Sequence, residues 1–288
     1  MRCRGMLTGV SLLALLLSWA ARADETAVQV ERDLVYGKAG DTELRLDLAR
    51  PAGDGPFPAV VCIHGGGWRQ GKRQDLDGLT KTLAKSGFVA ATVSYRLSQQ
   101  APFPAQIEDC KAAVRWLRAN AEQYRLRPDR VGAVGFSAGA HLACLLGTAD
   151  AAAGLEGDGD KQISTRVQAV VSYFGPTDFS VKTWTKPVED FFLVPFLGGS
   201  FEEKRALYEK ASPLRYVSKD DPPFLFFHGA RDTLVGIENS EKMVKALTTA
   251  GVPAELVTLP DEAHGWGGDK MARTLEQTIR FFEERLRK

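Results

Sequence analysis

From Ala59 to Ile63 the chain reads AVVCI, an apolar run with no polar break. A half-buried strand would alternate between apolar and polar residues. An unbroken run therefore fits a strand covered on both faces, as in a parallel sheet. Further strand-like runs follow: FVAATVSY at 88–95, RVGAVGF at 130–136, VQAVVSYF at 167–174, PFLFF at 223–227 and AELVTL at 254–259. Segments of helical character separate them, at 76–86 (stopped by Gly87), from Ile107 onward, at 138–147 and near 240–250. Residues 274–286 close the series, with Leu275, Ile279, Phe282 and Leu286 at helical spacing. Ahead of all these, residues 34–48 suggest two strands hinged at Gly40-Asp41, and PAGDGPFP at 51–58 suggests a loop. Strands alternating with helices predict an α/β fold, a mostly parallel eight-stranded sheet with helices on both faces. Residues 175–221 break the rhythm with no clean strand, and a cap insertion is expected at about 176–221.

The first residues stand apart. Arg2 and Arg4 precede an apolar stretch at about 7–19, and Ala21-Arg22-Ala23 has a small-x-small form. This is the pattern of a secretory signal peptide at 1–23, with the α/β domain expected at 24–288 and a periplasmic or secreted location. The stretch is short for a membrane span, so no stable membrane insertion is expected after cleavage. Without residues 1–23, which hold three arginines and no acid, Lys plus Arg falls from 37 to 34 against 36 Asp plus Glu, a net charge of −2. No basic cluster is interleaved with aromatics, which argues against nucleic acid as a partner. Cys62, Cys110 and Cys144 would remain, all in apolar settings, with Cys110 and Cys144 the most plausible pair for a single bridge.

Gly135-Phe136-Ser137-Ala138-Gly139 ends one predicted strand and opens the next predicted helix. In that setting G-x-S-x-G forms a nucleophile elbow, a turn so tight that side chains flanking the serine would collide. A serine hydroxyl needs a base. Among the four histidines, His141 follows the serine by one helical turn and faces away from the tip. His64 and His228 end strands, where imidazoles tie loops together. His264, in Glu262-Ala263-His264-Gly265-Trp266, follows the last strand and can reach the serine. Asp232 in HGARD stands in the chain order Ser, Asp, His expected for an α/β-hydrolase, with Asp178 and Glu262 as rivals.

His64-Gly65-Gly66-Gly67-Trp68 follows the AVVCI strand. Three glycines in a row cost conformational entropy, so bare backbone must be needed there. Attack on an ester carbonyl creates an oxyanion that requires fixed donors. The N–H groups of Gly66 and Gly67, with that of Ala138 after the serine, are suited to that task. Trp68, Trp184 and Trp266 are candidate substrate-binding residues, because indoles near a site stack on sugar or phenolic rings.

With HGGGW, GFSAG, HGARD and EAHGW in this order, and Gly175-Pro176-Thr177-Asp178 after the sixth strand, the sequence resembles the α/β-hydrolase superfamily. It is most similar to the bacterial esterase/lipase group that includes acetyl and feruloyl esterases, the BD-FAE-like group. The resemblance spans about 35–286. It implies ester hydrolysis through an acyl-enzyme without a cofactor or metal, with Ser137 as nucleophile, His264 as base and Asp232 as its orienter. A small-molecule or saccharide ester is the expected partner. A formamidase or peptidase-type hydrolase on the same triad, or a silent binding protein, are the alternatives. A lipase would need a broad apolar face; the cap holds aromatics but also Lys182, Lys186, Glu189 and Asp190, which favours a small, partly polar substrate.

Overall fold

The computed structural model describes residues 27–287, and the leader expected at 1–23 lies outside the described residues. Its sheet has eight strands: β1 (Val28–Ala39), β2 (Thr42–Pro51), β3 (Phe57–Ile63), β4 (Val89–Val93), β5 (Leu126–Phe136), β6 (Ala169–Tyr173), β7 (Phe224–Gly229) and β8 (Ala254–Leu259). Their order is β1-β2-β4-β3-β5-β6-β7-β8. The β1–β2 and β2–β4 pairs are antiparallel, and every pair from β4 to β8 is parallel. The mostly parallel sheet is the one the alternation predicts, and its arrangement is that of the α/β-hydrolases, as the resemblance implies.

The main helices are α1 (Asp77–Lys85), α2 (Ala105–Ala119) and α3 (Ala138–Thr148), then α4 (Lys186–Val188), α5 (Val194–Leu197) and α6 (Phe201–Lys210) within the insertion, and finally α7 (Glu238–Thr249) and α8 (Gly268–Leu286). The AVVCI run now has its cause. Ala59, Val61 and Ile63 pack into one core with Ile107, Leu142 and Met243 of α2, α3 and α7. Val60 and Cys62 pack into the other with Leu83 of α1 and Phe282 of α8. Successive strand residues point to opposite faces, so a sheet with two covers demands apolar residues at every position. A valine or isoleucine side chain, fully buried, contributes about 1.5–3 kcal/mol.

Parallel strands place their C-terminal ends on one edge, the edge where ligands bind in open α/β sheets. The segments HGGGW, GFSAG, GPTD, HGARD and EAHGW all leave the sheet there. The insertion joins β6 to β7 without a strand: α4 runs through a π-helical turn, Glu189–Leu193, into α5 and then α6. Buried Glu189 anchors it, accepting the Phe201 N–H at 2.8 Å and pairing with Lys182 at 2.9 Å. Cys62, Cys110 and Cys144 are buried free thiols, so the Cys110–Cys144 bridge is not formed. Among the described residues no helix is long and apolar enough to cross a membrane.

Candidate active site

Ser137 sits between β5 and α3 with φ 51° and ψ −117°, a conformation that L-residues adopt at a cost. Its backbone is fixed on both sides: its N–H donates to the Tyr173 carbonyl at 2.9 Å, and its carbonyl accepts from the His141 N–H at 3.0 Å. The elbow closes through two glycines. A Cβ on Gly135 would overlap the Gly139 carbonyl, and one on Gly139 would overlap the Ile63 carbonyl of the neighbouring strand. The hydroxyl therefore stands at the N-terminus of α3, where the N–H of Ala138 has no partner within the helix.

His264 Nε2 lies 2.8 Å from Ser137 Oγ, and His264 Nδ1 lies 2.7 Å from Asp232 Oδ2. The ring is held by Phe174, whose centroid is 4.9 Å away in an edge-to-face contact. Asp232 is buried, and its Oδ1 accepts the backbone N–H groups of Leu234 at 3.0 Å and Val235 at 2.9 Å. Burial alone would raise its pKa. Hydrogen bonds from His228, His264 and the Val235 amide outweigh burial and hold the carboxyl well below the usual carboxylate range. An ionised Asp232 only accepts, so Nδ1 carries the proton and Nε2 offers its lone pair to the Ser137 hydroxyl.

The rivals are engaged elsewhere. Asp178 accepts from Ser180 and from Lys242 at 3.0 Å, and Glu262 pairs with Lys270. His228 donates Nε2–H to the Val235 carbonyl at 2.8 Å and accepts from Ser240 Oγ at 2.7 Å through Nδ1. It braces the loop that carries Asp232. His64 donates Nδ1–H to the Gly65 carbonyl and stacks on Tyr95 at 4.4 Å. His141 is fully buried on α3.

Gly66 (φ 109°) and Gly67 (φ 59°) both lie in left-handed backbone, and a Cβ on Gly65 would press on the Phe136 carbonyl, which explains the glycines of HGGGW. With Ala138 they line the same cavity as Ser137 and His264, about 750 Å³ in volume. The cap covers one side of it through Trp184, Val188, Phe192 and Leu193, and the 233–236 loop covers another. The Phe192 ring lies directly against Gly67, where a Cβ would collide with it. Sequence reasoning missed Phe192 and the 233–236 wall, because neither belongs to a motif. Among the described residues no group of His, Cys, Asp and Glu is arranged to hold a metal ion.

The three tryptophans separate. Trp184 lines the cavity, stacked on Tyr208 at 5.7 Å. Trp68 is a cavity wall only 4% exposed, and its indole N–H is spent on His141, so it is not free to read a substrate. Trp266 does not line the cavity, contrary to expectation. Its N–H donates to Thr274 Oγ1 at 3.2 Å and its rings pack on Tyr173 and Phe174, which drives it into the layer beneath α8. Phe174 lies between it and His264, in contact with both.

The BD-FAE family model matches residues 46–247, from the second strand through α7. The chain belongs to the BD-FAE family. Among relatives, esterase LipQ of Mycobacterium tuberculosis is 31% identical over 81% of this chain and 56% of its own length. The chain spans about half the length of the curated relatives it matches. A truncated form of a carbohydrate esterase from gut microbiota superposes with a TM-score of 0.78 at 26% identity, over 92% of this chain and 99% of that one. The propionate-bound esterase of the planctomycete Thermogutta terrifontis gives 0.74 at 26% identity, over 91% of this chain and 96% of that one. The BD-FAE match covers HGGGW, GFSAG and HGARD but stops short of His264, whose place is given by the geometry above.

Proposed function

We propose that this protein is an exported serine hydrolase of small carboxylic esters, including acylated saccharides. The observation that carries the reading is the continuous chain Ser137–His264–Asp232, at 2.8 and 2.7 Å, on a strained elbow facing a cavity. Ser137 Oγ attacks the acyl carbon while its proton passes to His264 Nε2. The carbonyl oxygen, now negative, is received by the N–H groups of Gly66, Gly67 and Ala138. Collapse breaks the ester C–O bond and His264 returns the proton to the leaving alcohol. Water, deprotonated by the same nitrogen, then attacks the acyl-enzyme and releases the acid and the serine. Asp232 holds the tautomer and stabilises the imidazolium. No cofactor takes part.

Substrate class is argued from three sources. The relatives include an esterase solved with propionate and a carbohydrate esterase. The cavity lining sets Trp184, Phe174, Phe179 and Phe192 beside Thr183, Thr185 and Thr233. Arg2, Arg4 and the apolar run after them support export.

The test is hydrolysis of a p-nitrophenyl series from acetate to laurate by the protein and by Ser137→Ala. The reading predicts turnover that favours short acyl chains and is lost in the variant. A folded wild type inactive on every ester would refute it.

A further inference from the structure

We infer that His141 and Trp68 form one positioning unit that sets the oxyanion loop against the nucleophile. This rests on the esterase reading and adds a positioning role to a buried cavity-wall tryptophan and to a buried histidine that does not line the cavity.

Trp68 directly follows Gly66 and Gly67, and its backbone is itself left-handed, φ 57°. For a bulky residue that conformation is strained and persists only when the surroundings over-determine it. They do so here through three contacts. The indole stacks on Phe196 of the cap, centroids 4.1 Å apart and 8° from parallel. The Trp68 carbonyl accepts the Ser98 N–H at 2.8 Å. The indole N–H donates to His141 Nδ1 at 3.2 Å.

His141 sits one turn after Ser137, and its own N–H is bonded to the Ser137 carbonyl. Its Nε2 lies 2.7 Å from the Ala211 carbonyl, at the end of α6. A carbonyl only accepts, so Nε2 carries the proton and Nδ1 keeps its lone pair for the indole. One proton arrangement satisfies all three groups. Burial pushes the imidazole down to about 4, against the Ala211 hydrogen bond that would raise it, so the neutral ring persists over the working range. His141 thereby joins three separate pieces of chain: the nucleophile helix, the HGGGW loop and the cap. The indole fixes the backbone of Trp68, and so anchors the end of the short loop that carries the Gly66 and Gly67 N–H groups. An oxyanion hole acts through donors held in place before reaction, so a loop released from His141 stabilises the transition state less while still binding substrate.

The experiment is steady-state kinetics on p-nitrophenyl acetate for wild type, Trp68→Phe, His141→Leu and the double variant, normalised to folded protein by near-UV circular dichroism. Trp68→Phe keeps the stacked ring and removes the donor, so it guards against misfolding. The expected result is a fall in kcat of about tenfold for each single variant, KM within about twofold, and a double variant no worse than the poorer single. Equal kcat in wild type and Trp68→Phe, or single losses that multiply in the double, would overturn the inference and leave the esterase reading standing. A wild type with no turnover would overturn both.

Discussion

An ionised Asp232 gives the proton on His264 one place to sit, and that fixes the chemistry of the pair. The carboxylate takes two backbone N–H groups on Oδ1 and the imidazole N–H on Oδ2. Asp232→Asn preserves the shape but puts a donor or a neutral acceptor in its place, which favours the wrong imidazole tautomer. We expect kcat on p-nitrophenyl acetate to fall by about 10⁴ with little change in KM, as initial rates would show. The residues of this chain were legible in sequence to the degree that spacing encodes their geometry. Ser137 was, because glycines two residues to either side admit one kind of turn. Asp232 and His264 followed from chain order, yet sequence left Asp178 and Glu262 open. Their engagement by Lys242 and Lys270 is a matter of side-chain direction, which order does not carry. Trp266 was misread for the same reason. Proximity to His264 in the chain places it near the site, while its contacts with Thr274 and Tyr173 turn it into the core.

Among elements, the strands were the most readable, since a two-sided cover demands unbroken apolar runs. The last helix was less so. It begins at Gly268, six residues before the expected start, because its first turns carry Asp269, Lys270 and Arg273 and show no apolar period. Two helical glycines, Gly139 of the elbow and Gly78 of α1, give contrasting predictions. Gly139→Ala forces a methyl into the Ile63 carbonyl and is expected to destabilise the protein by about 3 kcal/mol or more. Gly78→Ala, on α1 with open space around it, is expected to stabilise by about 0.5–1 kcal/mol. Urea titration of both variants checks the pair. The cap makes a third prediction. Removing the Phe192 ring from above Gly67 enlarges the cavity, so Phe192→Ala should shift the hexanoate-to-acetate ratio of kcat/KM upward by about tenfold.

At the scale of the whole molecule, the site exists because five loops from one sheet edge and one insertion converge, and His141 ties three of those parts together. The insertion was legible as an interruption of the rhythm, but its seating was not. Phe196 on Trp68 and Phe192 on Gly67 are long-range contacts with no local pattern. This convergence has a measurable acid limit. Folded His141 titrates at about 4 against 6.5 for the ordinary imidazole, so below pH 6.5 the unfolded chain takes up the proton first. Stability is then fully present above 6.5 and is lost as pH falls towards 4, by about 3 kcal/mol in all. Urea unfolding of wild type and His141→Leu at pH 7, 5.5 and 4 isolates this contribution, since other titrating groups are shared. The variant should show a flatter decline by about that amount.

The proposed chemistry stands or falls with Ser137 as the nucleophile. It is tested most directly by incubating wild type and Ser137→Ala with paraoxon, followed by intact mass and peptide mapping; an esterase from Thermogutta terrifontis has been solved phosphorylated by this reagent. The expected result is a single diethylphosphoryl addition on the peptide that contains Ser137, and none in the variant. A modification on another residue, or equal labelling of Ser137→Ala, would contradict it.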